Sequence, residues 1–181
     1  MIILGIDPGS RVTGFGIIRV RGQRSELVDY GVIGLKKEVR HGERLRHIYE
    51  QVDGLIERCS PDVCAIEMPV YGKNPQSMLK LGRAQAAAML AALNRGIEVD
   101  EYTPKEVKKA VTGNGGAAKE QVAFMVEKVL QMESGLKVSF DALDALAVAL
   151  CRAHRSPSSS APEYRGWDAF IRANPDRLAA G

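Results

Sequence analysis

The sequence predicts an α/β fold with a five-stranded mixed sheet flanked by helices. Two short apolar segments, residues 2–6 and 63–66, are each followed directly by a carboxylate, and a helical pattern lies between them. Short apolar runs of this kind are typical of strands that are buried on both faces of an α/β sheet. Two further strand patterns, at 12–20 and 26–35, follow the first strand with only short connections, which predicts an antiparallel meander of strands 1–3.

The first strand and the elements after it have clear local signals. Residues 2–10 read IILGIDPGS, in which β-branched residues precede a proline and glycine turn signal. Apolar residues at helical spacing over 42–59 predict a helix that stops before Pro61. A right-handed β-helix-β connection then places the strand at 63–67 parallel to strand 1. A fifth strand is predicted at 97–102, also parallel to strand 1.

Small residues leave two packing choices open. Gly14 and Gly16 lie two residues apart in the second strand, so they share one face of it. The backbone there can come close either to a ligand or to another element. The helix predicted at 76–94 is dense in alanine and can pack tightly against either the sheet or a second subunit.

Three more helices are predicted in the second half of the chain. Thr103, Pro104 and Glu106 form a capping box with proline at the first helical position. An amphipathic pattern predicts the next helix at 119–132. Ser139 is the expected N-cap of a last helix over 140–153.

Composition limits the classes of protein that fit. We expect one domain at 1–155 and a disordered C-terminal tail at 156–181, because the tail opens with the linker-like sequence SPSSSAP. The longest apolar runs fall well short of the roughly 20 residues that span a bilayer. The chain starts directly on a strand and its three cysteines form no C-x-x-C pair. We therefore expect a cytoplasmic protein without membrane contact, whose net charge of +3 favours a nucleic-acid partner only weakly.

Four carboxylates are the candidate catalytic residues. Asp7 and Glu67 end two parallel strands at the edge of the sheet where ligands bind in open α/β folds. Asp141 and Asp144 are three residues apart and share one face at the start of the last helix. Each acid alone is explained as a turn cap, a strand-end ion pair or a first-turn surface acid. The last helix is mostly apolar, however, and a broad polar face for both of its acids is missing.

Clustered carboxylates repel one another, so a site that contains all four needs cations. Oxygen ligands without histidine or thiolate suit Mg²⁺ or Mn²⁺ rather than zinc. Two such ions favour in-line attack of water on a phosphodiester. Four lysines and one acid lie between Lys105 and Lys119, and this region would hold the phosphate backbone. Lysines in such a run usually form an ordinary solvated helix face. Because the carboxylates are present, Lys108 and Lys119 are preferred here as candidates for binding the phosphate backbone.

With these motifs the chain resembles the RuvC family of Holliday-junction resolvases, within the RNase H-like superfamily. The resemblance covers about residues 1–154. Its most specific pieces are GIDPGSRVTGFG at 5–16, AIE at 65–67, KLG at 80–82 and DALDALA at 141–147. The resemblance implies an RNase H-like nuclease domain that works as a homodimer, places symmetric nicks across a four-way DNA junction and acts with the RuvA and RuvB branch-migration proteins.

The resemblance also implies roles for individual residues. Two Mg²⁺ ions per subunit would be bound by the four carboxylates, Asp7, Glu67, Asp141 and Asp144. DNA would be contacted at the basic positions Lys108 and Lys119, with Arg11 and Lys73 as further candidates. Family members commonly carry a wedge aromatic shortly after the glutamate, but here valine is at the usual position and Tyr71 follows it. Tyr71 either stacks on the junction or packs on its own domain.

Two other functions share features with this pattern. Asp7-Pro8-Gly9-Ser10 followed by Gly14 and Gly16 is also similar to the first phosphate loop of actin-like and sugar-kinase ATPases. Those enzymes need two such domains around the nucleotide, and the chain has residues for one. A non-catalytic nucleic-acid scaffold would use the lysines alone and would give no reason for four clustered acids.

Overall fold

The computed structural model describes residues 1–35, 40–69, 74–133 and 138–154 of the 181-residue chain. Within these residues the chain forms five strands and five helices. Their order is β1 (Ile2–Asp7), β2 (Val12–Arg21), β3 (Arg24–Gly34), α1 (His41–Cys59), β4 (Val63–Glu67), α2 (Pro75–Asn94), β5 (Glu98–Tyr102), α3 (Pro104–Thr112), α4 (Lys119–Val129) and α5 (Phe140–His154).

The strands form one sheet in the order β3-β2-β1-β4-β5. Strands β1, β2 and β3 are antiparallel neighbours because short turns join them. Strand β4 is parallel to β1, and β5 is parallel to β4, because a helix makes each crossover. The predicted fold class, with an antiparallel meander and two added parallel strands, is confirmed.

The two faces of the sheet carry separate apolar clusters. Helix α5 packs across β1, β2 and β4 on one face, and α3 and α4 pack on α5. The other face is covered by α1 and α2. Alternate residues of each strand supply the two clusters, for example Ile3 to the α5 side and Leu4 to the α1 side.

The alanine-rich helix α2 packs against α1, β4 and β5 of its own chain. Its buried alanines allow this close approach: Ala84, Ala87, Ala88, Ala91 and Ala92. Three leucines of the same helix are at least half exposed: Leu79, Leu90 and Leu93. The sequence left open whether this helix packs against the sheet or against a second subunit, and the structure shows that it packs against the sheet. Among the described residues, every helix is too short or too polar to cross a membrane.

The predicted helix ends are close to those observed. Helix α3 has the predicted capping box, in which Thr103 and Glu106 satisfy each other's backbone N–H groups. Helix α4 ends at Val129 and not at residue 132, because the chain turns into a left-handed conformation at Gln131, with φ 51°. The predicted tail at 156–181 lies outside the described residues, so that boundary stays a prediction.

Candidate active site

The first two predicted acids end neighbouring parallel strands. Asp7 is the last residue of β1 and Glu67 is the last residue of β4. Ile6 pairs with Ile66 in the parallel ladder, so the two acids follow at the same level of the sheet. Side chains alternate along a strand, and both acids therefore lie on the face that α5 covers.

Helix α5 comes this close because glycines line its path over the sheet. Gly14 is paired with Asp7 across the antiparallel ladder, and a Cβ on it would collide with the carbonyl oxygen of Asp141. Gly5 and Gly16 are paired with each other, and a Cβ on either would collide with the body of α5. Of the two possibilities left open for these glycines, the structure shows the approach of another element. The first turn of α5 is thereby set beside Asp7.

The start of α5 carries the other two acids. The Ser139 hydroxyl accepts a hydrogen bond from Ala142 N at 3.3 Å, as expected of an N-cap. Asp141 and Asp144 follow within the first turns, both partly buried. Lys119, the first residue of α4, donates from Nζ to Asp144 Oδ2 at 2.8 Å. Four distant segments of the chain therefore meet at this point: β1, β4, α4 and α5.

The charges of the acids interact with one another. Burial and, to a smaller extent, the charges of Asp144 and Asp141 together raise the pKa of Asp7 to about 6, against the opposing charge of Lys119. Burial is also the main reason that the pKa of Glu67 rises to about 8, with Asp7 and then Asp144 adding to it. The hydrogen bond to Asp144 raises the pKa of Lys119. The four acids and Lys119 form one electrostatic unit.

The predicted DNA-contacting residues have different positions. Lys108, on α3, is close enough for its charge to lower the pKa of Glu67. Lys119 is bound to Asp144 but its side chain is 64% exposed. Arg11 is exposed in the turn between β1 and β2, four residues after Asp7. Tyr71 and Lys73 lie outside the described residues, so their roles stay predictions.

The donor set suits a hard divalent cation. All four acids present oxygen ligands, and their mutual repulsion is relieved by positive charge. As the side chains stand, no three Asp, Glu, His or Cys side chains in the described part of the chain converge closely enough to hold a metal ion. Lys119 neutralises Asp144 in this arrangement. By charge and ligand type the residues fit Mg²⁺ or Mn²⁺, and a bound cation would require the side chains to close in.

Sequence reasoning missed Thr13 as part of the site's support. Thr13 is fully buried, and its hydroxyl lies 3.4 Å from both the N and the O of Gly9. It therefore braces the turn that directly follows Asp7. A hydroxyl residue four positions after the glycine of a Pro-Gly-Ser turn was the available signal.

A family model and several relatives that are similar to this chain share one description. A family model described as crossover junction endodeoxyribonuclease RuvC matches residues 3–152. The crossover junction endodeoxyribonuclease RuvC of Salinibacter ruber is 52% identical over 179 residues, with 99% of each chain covered. Its counterpart in Bacteroides fragilis is 49% identical over 179 residues, which are 98% of this chain and 95% of the relative.

A solved structure agrees with the sequence comparisons. Thermus thermophilus RuvC in complex with Holliday junction substrate has a TM-score of 0.79 and 34% identity, covering 85% of this chain and 93% of that chain. The family model and the relatives also cover all four carboxylates of the site. The chain therefore belongs to the RuvC family of crossover junction endodeoxyribonucleases.

Proposed function

We propose that this protein is a metal-dependent endonuclease that resolves four-way (Holliday) DNA junctions by paired symmetric nicks in homologous recombination and DNA repair. One observation carries the proposal: acids from β1, β4 and α5 lie close enough at the end of two parallel strands for their charges to raise the pKa values of Asp7 and Glu67. A scaffold that used only lysines would gain nothing from this costly arrangement. The Thermus thermophilus relative was solved with Holliday junction substrate, which supports the choice of DNA.

The four acids would hold two Mg²⁺ ions per subunit, with Mn²⁺ as a substitute. When bound, such ions activate a water and stabilise the attacking and leaving oxygens of a phosphodiester. For its part, the chain must present ionised carboxylates, so Glu67 has to lose the proton that its raised pKa favours. Asp144 must also exchange its contact with Lys119 for a metal contact.

The basic residues would hold the DNA backbone around this pocket. Lys119 contacts Asp144 through Nζ while its side chain is 64% exposed, so once released from Asp144 it would reach a phosphate. Lys108 already lies within electrostatic range of Glu67. We assign Arg11, Lys73 and Tyr71 to the outer DNA contact, with Tyr71 as a stacking residue.

Two nicks in one junction call for two active sites, so we propose that the protein is a homodimer. The half-exposed leucines of α2, Leu79, Leu90 and Leu93, support this because such apolar side chains favour a partner surface. We further propose that the nuclease domain spans residues 1–155, followed by a separate tail at 156–181. RuvA and RuvB are the proposed branch-migration partners.

The test is cleavage of synthetic four-way junctions. Asp7→Asn removes one negative charge without changing the shape of the side chain, and we expect cleavage to fall at least about 100-fold while junction binding persists. A chelator should abolish cleavage by the unmodified protein. Asp53→Asn is the matched control, since Asp53 lies on α1 and is paired with Arg95 far from the acids. Cleavage that survives both Asp7→Asn and the chelator would refute the proposal.

A further inference from the structure

Two large apolar side chains that adjoin the candidate acids in sequence are exposed. Phe140 is 51% exposed and directly precedes Asp141, while Met68 is 40% exposed and directly follows Glu67. Phe140 begins the covering helix α5, whereas Met68 follows the end of β4. Apolar side chains at this position cannot bind a phosphate or a metal ion, so they call for a different kind of contact.

Phe140 is placed beside the acids of α5 by helix geometry. It is the first residue of α5 and lies four positions before Asp144, so the two residues share one face of the helix. Helical side chains lean toward the N-terminus, which directs the ring away from the core and beyond the carboxylates. Among the described residues, Phe140 belongs to neither of the two apolar clusters.

A second exposed phenylalanine has a partner within its own helix. Phe124, on α4, is 56% exposed, but the Lys128 ammonium lies 5.5 Å from the centre of its ring. That cation–π contact occupies the ring within the helix itself. Phe124 also lies five residues after Lys119, which turns it to a different side of α4 from the acidic pocket.

We propose that Phe140 stacks on a nucleobase beside the scissile phosphate and that it helps to select unpaired DNA at the junction centre. This inference rests on the proposed function. The division of contacts supports it: carboxylates suit the cation, Lys108 and Lys119 suit phosphates, and a flat apolar ring suits the face of a base. A base must be unstacked to offer that face, as bases at the centre of a four-way junction can be.

The experiment uses the full chain with Asp7→Asn, which stops cleavage. After the unmodified enzyme has mapped the cut position, 2-aminopurine is placed beside it in a four-way junction. We expect quenching of its fluorescence on binding to Asp7→Asn, loss of that quenching when Phe140→Ala is added, and its return with Phe140→Trp. Junction affinity should weaken at least about fivefold in the alanine variant, since base–aromatic stacking contributes about 1–3 kcal/mol.

Two further variants test whether the aromatic ring itself is required. Phe140→Leu keeps an apolar side chain without a ring, and it should resemble the alanine variant. Phe124→Ala removes an equally exposed ring away from the pocket and should leave quenching unchanged. Full quenching with Phe140→Ala or with Phe140→Leu would overturn the inference. A failure of the unmodified enzyme to cut junctions would instead refute the proposed function, so the two failures are distinguishable.

Discussion

The two faces of the sheet are built in opposite ways. On the α1 and α2 side, aliphatic side chains such as Leu4 and Ile66 fill the space between sheet and helices. On the α5 side, three strand positions are glycines, and the helix lies against the backbone of the strands. Both faces carry an apolar cluster, but only the second also carries four carboxylates and two lysines at one end, among the described residues.

This contrast indicates that one face is built for stability and the other for position. Side-chain packing can relax around a small change, because neighbouring side chains have other rotamers. Contact between two backbones has no such freedom. We therefore expect changes on the α5 side to affect cleavage more than stability, and changes on the α1 side to do the reverse.

The largest effect should come from Gly14→Ala. The added methyl group would collide with the carbonyl of Asp141 and push the start of α5 away from Asp7. A displacement of about 1 Å in a catalytic group can cost about 100-fold in rate, and we expect a loss of that order in junction cleavage. Gly34→Ala, in β3, is the control because a Cβ there meets nothing within 4 Å. Equal cleavage by both variants would remove the distinction between the two faces.

A side-chain truncation on the α1 side of the sheet should have the opposite effect, lowering stability more than cleavage. Ile48 of α1 is fully buried, and Ile48→Ala should lower the free energy of unfolding by about 2–5 kcal/mol. Cleavage per folded molecule should stay close to that of the unmodified protein. Denaturant unfolding and junction cleavage at one temperature measure both quantities. The milder Ile48→Val serves if the alanine variant does not fold, and a selective loss of cleavage in either would contradict the comparison.

A more gradual effect is expected from pH in the metal-free protein. Glu67 has a pKa of about 8 in the folded chain against an ordinary value of 4.5, so the folded state keeps a proton that the unfolded state releases. The contribution of Glu67 to stability should therefore fall as pH rises between these values, by at most about 1.4 kcal/mol per pH unit. Asp7 acts in the same direction up to about pH 6.

Unfolding in denaturant with a chelator present, at pH 5, 6.5 and 8, measures this dependence. Glu67→Gln cannot ionise and should flatten the upper part of the curve. A stability that rises with pH in the unmodified protein would show that the acids do not carry the burial penalty described above.

The smallest effect is expected from Thr103→Ala, which removes the capping box of α3. A lost N-cap costs about 1 kcal/mol, and the helix that carries Lys108 should fray at its start. Thermal unfolding measures the loss, and cleavage should change little because no carboxylate moves. A large loss of cleavage would mean that α3 positions the site more directly than its packing suggests.

Much of this organisation was predictable from local patterns. The apolar runs before Asp7 and Glu67 place both acids at strand ends, and the short connections after strands 1 and 2 predict the antiparallel meander that the sheet has. The capping box at Thr103 marked the start of α3 correctly. The RuvC resemblance, carried by four short motifs, is confirmed by the family model and the relatives.

The remainder depends on contacts between distant segments. Gly14 and Gly16 signalled a close approach, but only the fold shows that α5 is what approaches. The attachment of Lys119 to Asp144 joins residues 25 positions apart and has no local signature. Phe140 was placed correctly at the start of a helix, yet its exposure beside the acids follows from how α5 lies on the sheet.

The glycine-lined path under α5 bears on how the family's sequences can drift. Where the backbone of the strands contacts the backbone of the helix, the distance between sheet and helix is set by that contact and not by neighbouring side chains. Aliphatic residues around it can be exchanged over time without altering the spacing of the acids. An engineer who wishes to reshape substrate choice is therefore free to redesign the rim, provided that Gly5, Gly14 and Gly16 are left without side chains.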